Sequence, residues 1–223
     1  MILESAAVGP FFKNGYVVGC ERTKQAIYID PGDEVEELLA FIAAAELNVA
    51  YILLTHAHVD HVSGVAEARR VLNVPIYLHK DDQSLYDNAV RTGMMFGLTV
   101  EQPPPVDRYY EGDGPITFGD YEVRVVHTPG HCPGGVCLAV TKKGEDGPPD
   151  LFVGDTLFAG SIGRTDLPGG DYDTLLKAIT EKLFAFPDDA VVYSGHGPET
   201  TIGHEKATNP FVLEYLASKT KSF

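Results

Sequence analysis

The sequence is short of positive charge, with 17 Lys and Arg against 32 Asp and Glu and a formal net charge of −15 over 223 residues. Such a surplus repels nucleic-acid backbones and anionic lipid headgroups, so neither is an expected partner, and the acidic residues read as a solvated surface. Cysteine is scarce and odd in number: Cys20, Cys132 and Cys137. A chain of this size needs no disulfide framework, which favours a reducing compartment and makes the cytoplasm the expected location. No apolar run approaches the roughly 18 residues of a membrane-spanning helix. The opening MILESAAVGP has neither the basic segment nor the long apolar stretch of a secretion signal. A GxSxG elbow is also missing, and Ser194 before Gly195 reads as a turn residue.

What is present suits a globular protein: 44% hydrophobic residues, 22% charged, 23 Gly and 15 Pro. That is enough apolar chain for one core, and residues 1–223 are expected to form a single domain. Segments rich in Val, Ile and Tyr at 16–20, 26–29, 49–54 and 76–78 read as strands. Between them, 34–46 repeats apolar residues at three-and-four spacing with acidic residues in its first turn, which predicts a helix. Residues 62–72 and 81–91 read as further helices, the second capped by the Asp81–Asp82 pair. Pro103, Pro104 and Pro105 make 101–107 a loop. The pattern then repeats, with strands at 115–118, 121–127, 136–142, 151–153 and 191–194 and a helix at 172–184. A Gly- and Pro-containing connection at 142–150 joins two of these strands. Two halves of strands and helices suggest sheets packed together with helices outside.

Histidine carries the chemistry. THAHVDH, Thr55 to His61, follows directly on the apolar strand ending at Leu54, and a strand end feeding a loop is where side chains project toward a ligand. His56 and His58, two apart in extended chain, point the same way. Asp60 and His61 follow after the chain turns and can address a second position. Imidazoles with a carboxylate in so short a stretch are the donors that zinc and similar metals take. Packing alone does not call for them, because each costs several kcal/mol if buried unpaired. Three further sites repeat the arrangement: His131 in TPGHCPGG, Asp155 in LFVGDTLF and His196 in YSGHGP each lie just past a strand beside glycine.

With these motifs the chain resembles the metallo-β-lactamase-fold hydrolases of the short glyoxalase II-like branch, over nearly its whole length. The resemblance implies an αββα sandwich, an α/β (α+β) fold of four layers. It also implies a ligand set: His56, His58 and His131 on one metal, Asp60, His61 and His196 on a second, and Asp155 bridging both. The cofactor would be two divalent ions, zinc first, with iron or manganese as alternatives. Such a pair holds a bridging hydroxide at neutral pH, polarises a carbonyl and stabilises the departing thiolate. Asp60 and Asp155 could also act in acid/base roles, although metal ligation takes precedence. His61 after Asp60, in place of Arg, is closer to the glyoxalase II and lactonase groups than to the antibiotic-hydrolysing lactamases. The expected activity is hydrolysis of a thioester such as S-lactoylglutathione or of a related small acyl ester.

Full-length glyoxalase II enzymes carry a C-terminal helical domain, and the stretch after His196 is too short to supply it. Arg164, in SIGRTDLPGGDY, becomes the candidate anchor for a substrate carboxylate, weighed against an ion pair with Asp166. The tetrad Gly163 to Asp166 also resembles the persulfide dioxygenases, whose single iron would here take His56, His131 and Asp155. The DLPGGD continuation leans toward the hydrolases. His79 and His127 are read as structural, Cys132 as a small buried filler, and His204 as a weaker candidate for closing the pocket. Beyond a small-molecule substrate, the partner expected is at most a second copy, in a monomer or homodimer.

Overall fold

The computed structural model describes residues 1–110 and 114–220. Its first sheet runs in chain order: β1 (Ile2–Val8), β2 (Lys13–Gly19), β3 (Gln25–Ile29), β4 (Asn48–Leu53), β5 (Ile76–Leu78) and β6 (Arg108–Tyr109). The first three strands are antiparallel and the rest parallel. Parallel neighbours need crossovers, and helices supply them: α1 (Glu36–Ala44) after β3, α2 (Val59–Val62) and α3 (Val65–Leu72) after β4, and α4 (Gln83–Asp87) and α5 (Ala89–Met95) after β5.

The second half contributes β7 (Ile116–Phe118), β8 (Tyr121–His127), β9 (Val136–Lys142), β10 (Asp150–Gly154), the small hairpin β11 (Leu157–Phe158) and β12 (Ser161–Ile162), then β13 (Val191–Ser194) and β14 (Thr200–Thr201). Its sheet has the order β14-β13-β10-β9-β8-β7. On its outer face lie α6 (Tyr172–Glu181), α7 (Ile202–Thr208) and α8 (Pro210–Thr220). The side chain of Asp171 caps α6, accepting from Thr174 N–H at 2.8 Å.

Three apolar seams hold four layers together. Tyr16, Val18, Ile27, Ile29 and Leu53 of the first sheet meet Phe118, Val123, Leu138, Val140 and Phe152 of the second between the sheets. Leu38, Ile42, Val65 and Ala68 pack helices on the outside of the first sheet, and Leu175, Leu176, Ile179 and Val212 on the outside of the second. This is the αββα sandwich that the resemblance implied. Central strands are buried on both faces, which is why β2 and β9 read as nearly continuous apolar runs rather than alternating ones. Among the described residues no helix is long and apolar enough to cross a membrane.

Several boundaries differ from the sequence reading. The helix expected over 62–72 begins at Val59 and breaks at Ser63–Gly64, where Gly64 N–H donates to Pro31 O at 3.1 Å. The helix expected over 81–91 is a 3-10 turn, Lys80–Asp82, followed by α4 and α5. Asp82 does not cap it: its buried carboxylate is turned inward to other partners. The helix expected over 172–184 ends at Glu181 and continues as a separate 3-10 turn, Leu183–Ala185. β1, at the chain start, was not anticipated. It pairs with β2 along its whole length, from Ile2 opposite Gly19 to Val8 opposite Lys13.

Candidate metal centre

The end of β4 continues as extended chain through Thr55 and His56 to His58, whose backbone is still β (φ −66°, ψ 151°), before α2 begins at Val59. His56 and His58 therefore project together, while the first turn of α2 swings Asp60 and His61 aside. The second sheet brings His131 from the turn between β8 and β9, Asp155 from the end of β10, and His196 from the end of β13. All seven residues singled out as donors meet at the edge where the two sheets join.

They form two groups. Ligating atoms of His56, His58 and His131 lie within 4.8 Å of one another, and so do those of Asp60, His61 and His196. His58 Nδ1 is 2.7 Å from His131 Nε2. His196 Nε2 is 3.2 Å from Asp60 Oδ2. Asp155 lies between the groups, with Oδ1 3.3 Å from His61 Nε2 and Oδ2 3.6 Å from His131 Nε2 and 3.5 Å from His196 Nε2.

The groups behind the histidines fix which nitrogen faces inward. His131 Nδ1 donates to Arg164 O at 2.8 Å, His196 Nδ1 to Phe11 O at 3.1 Å, and His61 Nδ1 pairs with Asp30 Oδ2 at 2.8 Å. Each contact places a proton on Nδ1, so that Nε2 is the nitrogen left to ligate once the ring is neutral, the arrangement of metal-ligating histidines. Four buried side-chain polar atoms among the described residues lack a hydrogen-bond partner: His56 Nε2, His61 Nε2, Asp155 Oδ1 and Ser63 Oγ. Three of them belong to this centre. An orphaned buried group costs about 1–3 kcal/mol, and a cation seated among these three supplies the partner each lacks. The residues present therefore fit a metal.

Electrostatics divide the centre. Burial, with His61 beside it, holds the His56 imidazole well below its ordinary value, and burial and His131 hold His58 at about 4. Burial also pulls His61 and His196 down, but the surrounding carboxylates win. Asp155, Asp60 and Asp30 raise His61 to about 9, and hydrogen bonds donated to Asp155 and Asp60 raise His196 to about 10. Burial favours the neutral acid at Asp155, yet His61 and His196 hold its carboxyl well below the usual range. In the metal-free chain His56 and His58 are neutral, while His61 and His196 carry protons where a cation would sit.

Two buried carboxylates that the motif reading did not single out organise the centre. Asp30, just past β3, accepts from Thr55 N at 2.7 Å and Thr55 Oγ1 at 2.5 Å besides pairing with His61. It sits in IDPG, past a strand and near glycine, so the signal that found the other sites also marks it. Asp82 accepts from Ala57 N at 3.0 Å, Gly134 N at 2.6 Å and the Cys132 thiol at 3.2 Å. It ties the loop carrying His56 and His58 to the loop carrying His131, and it gives Cys132 a role beyond filling space. Gly195 is required by closeness: a Cβ there would lie 2.1 Å from Asp155 Oδ1.

The remaining candidates stand apart. Arg164 is exposed, its Nε and Nη2 each 2.7 Å from Asp166 carboxylate oxygens, and its carbonyl is what reaches the centre. His79 and His127 stack with centroids 4.2 Å apart and planes 11° from parallel. With Asp81 they form a donor group apart from the centre, where Asp30, His56 and His61 also lie within reach of one another, but a metal must lie in the plane of each imidazole that binds it, and stacked rings share no such point. His204 lies in the first turn of α7, its N–H capped by Thr201, and is not among the gathered donors.

A four-layer sandwich with a His/Asp donor centre at the seam of its sheets defines a metal-binding, hydrolase-type fold. The chain belongs to the metallo-beta-lactamase superfamily, whose family model matches residues 8–196. It is 40% identical to the probable metallo-hydrolase YqgX of Bacillus subtilis, covering 92% of this chain and 94% of that one. It is 38% identical to the hydroxyacylglutathione hydrolase GloC of Haemophilus influenzae, over 95% and 98%. Among solved structures, the B3 metallo-beta-lactamase BLEG-1 superposes with a TM-score of 0.85 at 37% identity, over 95% of this chain and 99% of that one. TTHA1623 in a di-iron-bound form gives 0.81 at 41%, over 93% and 99%. ETHE1 from Myxococcus xanthus gives 0.75 at 25%, over 94% and 84%.

Proposed function

We propose that this chain is a dinuclear metallohydrolase that cleaves a small thioester of the hydroxyacylglutathione kind, or a related acyl ester. The observation that carries the reading is the position of Asp155, within 3.3 to 3.6 Å of histidines from both donor groups. His56, His58 and His131 would hold one ion, Asp60, His61 and His196 the other, with Asp155 shared. The ions, zinc first and iron or manganese next, would supply water activation and carbonyl polarisation at neutral pH. The chain's own groups orient the donors: Asp30 and the Arg164 and Phe11 carbonyls hold the histidine rings, and Asp60 and Asp155 would serve as ligands first, with a proton-accepting role second. His196 and Asp60 are part exposed, at 28% and 18%, which opens the second group to a substrate. The likeness to GloC over the full length supports the thioester class. Free, buried Cys20, Cys132 and Cys137 accord with a reducing compartment and the cytoplasm. Substrate is the partner the reading requires; it fits a monomer or homodimer equally.

The second reading is an iron persulfide dioxygenase served by His56, His131 and Asp155 alone. The side-by-side placement of those three residues and the likeness to ETHE1 keep it in view. It leaves Asp60, His61 and His196 without a task, which favours the hydrolase. The deciding experiment measures metal content of protein purified without added metal, then compares S-lactoylglutathione cleavage, β-lactam cleavage and glutathione persulfide oxidation with and without oxygen. Thioester cleavage undiminished without oxygen is expected. Oxygen uptake on persulfide that outpaces thioester cleavage, with iron recovered, would replace the hydrolase by the dioxygenase.

A further inference from the structure

Lys13, the first residue of β2, is 1% exposed. Its ammonium donates to the Asp30 carbonyl, and no carboxylate among the described residues pairs with it. A buried cation without an ion-pair partner is costly, and nothing in the proposed chemistry requires it.

Its surroundings belong to one half of the centre. The Lys13 backbone bridges to His196, and the next residue, Asn14, donates from its amide to Gly195 O at 2.7 Å and from its side chain to Ser194 O at 3.1 Å. The lysine tail runs beside Gly32 and the Asp60 backbone: a Cβ on Gly32 would lie 2.5 Å from Lys13 Cε and 2.2 Å from Asp60 O. Asp30, which receives the ammonium on its carbonyl, holds His61 with its carboxylate. Lys13 is thus packed among the segments that carry Asp60, His61 and His196. The strand end and turn bearing His56, His58 and His131 make no direct contact with the lysine and are held by Thr55, itself bound to Asp30, and by Asp82 and Arg164 O. Burial lowers the lysine to about 8 while Asp30, Asp60 and Asp155 oppose that shift, so the charge is felt across the same three carboxylates.

We propose that Lys13 is a built-in cation that weakens the Asp60–His61–His196 half of the centre for its metal, so that the two halves fill in order. This rests on the two-metal reading above. A fixed positive charge beside the Asp60 backbone and Asp30 in a poorly screened interior repels an incoming divalent ion. The His56–His58–His131 half, which Lys13 reaches only through Asp30 and Thr55, fills first. The centre then passes from one ion to two over a range of free metal concentration set by this residue, and its occupancy follows metal supply.

The test is equilibrium titration of metal-free full-length protein with Zn²⁺ buffered by a chromophoric chelator, reading bound zinc per chain. Wild type is expected to show two separated steps. In Lys13→Met the second step should move to at least tenfold lower free zinc while the first moves less than threefold, and Lys13→Arg, which keeps the charge, should retain the wild-type separation. If Lys13→Met does not fold, Lys13→Gln carries the same expectation. A second step that stays put, weakens, or shifts together with the first overturns the proposal. A single zinc bound at every concentration in wild type and variants alike would remove the two-metal reading itself, and the proposal with it.

Discussion

Asp30 Oδ2 lies 2.8 Å from His61 Nδ1, and both side chains are buried. This one contact fixes the imidazole tautomer, aims Nε2 at Asp155 and raises the basicity of the ring toward a metal. Asp30→Asn keeps the shape but removes the charge, and outer contacts of this kind are worth about 10- to 100-fold in metal affinity. The expected outcome is loss of that order in the second zinc, read by metal analysis at controlled free zinc. Retention of full affinity would reduce Asp30 to a loop-forming residue.

Asp155 faces both donor groups, whereas His61 and His196 belong to one. Asp155→Ala should therefore cost more turnover than His61→Ala or His196→Ala, and at least ~100-fold, or ~2.7 kcal/mol of barrier. Turnover and metal stoichiometry are to be measured on the same preparations, with circular dichroism to show folding. Near-normal activity in folded Asp155→Ala would end the shared-ligand assignment.

Metal uptake should release protons. His61 and His196, raised to about 9 and about 10 in the metal-free chain, hold their protons at neutral pH and must give them up to ligate. A raised value means the proton is bound below it, so apparent affinity climbs with pH from 7 to about 10 and flattens once both rings are neutral. Calorimetry at pH 7.5 in buffers of different ionisation heat should report about two protons released per chain on full loading. Binding heat that does not depend on the buffer would contradict this.

Gly195 lies beside the shared carboxylate, and Gly195→Ala would force its Cβ to within 2.1 Å of Asp155 Oδ1 and 2.7 Å of His61 Cε1. Metal binding should fall while most of the fold persists, since the apolar seams lie elsewhere. Metal content and thermal midpoint, taken together, check it: a midpoint lowered by chelator in wild type but not in the variant is the expected pattern.

Arg164→Ala should raise KM for a glutathione thioester with kcat largely kept, because a remote charge contact binds ground and transition states alike. The side chain must leave Asp166 to do this. Steady-state kinetics decide it, and unchanged KM would assign Arg164 to its surface ion pair alone.

The donors were legible because each interrupts an apolar strand at its end with a residue that packing does not want there. Asp30 carried the same mark and was passed over, since one aspartate before Pro-Gly also reads as an ordinary turn. Asp82 was misread because an acidic pair before a helix satisfies the capping rule equally well, and only the tertiary approach of Ala57 and Gly134 turns it inward. Lys13 had no local signal at all: a lysine in FFKN looks exposed until β2 is covered on both faces. The two-residue strands at 108–109, 157–158, 161–162 and 200–201 exist only through their pairing partners, so periodicity could not show them.

The donors are contributed from both sides of the sandwich, His56, His58, Asp60 and His61 by the first sheet and His131, Asp155 and His196 by the second, with Asp82 lashing the two loops together. Under the two-metal reading, neither half of the polypeptide would own a complete coordination sphere for either ion. On that reading tight metal capture would be reserved for the finished molecule, and a nascent or partly opened chain, exposing scattered imidazoles, would compete poorly for scarce cations.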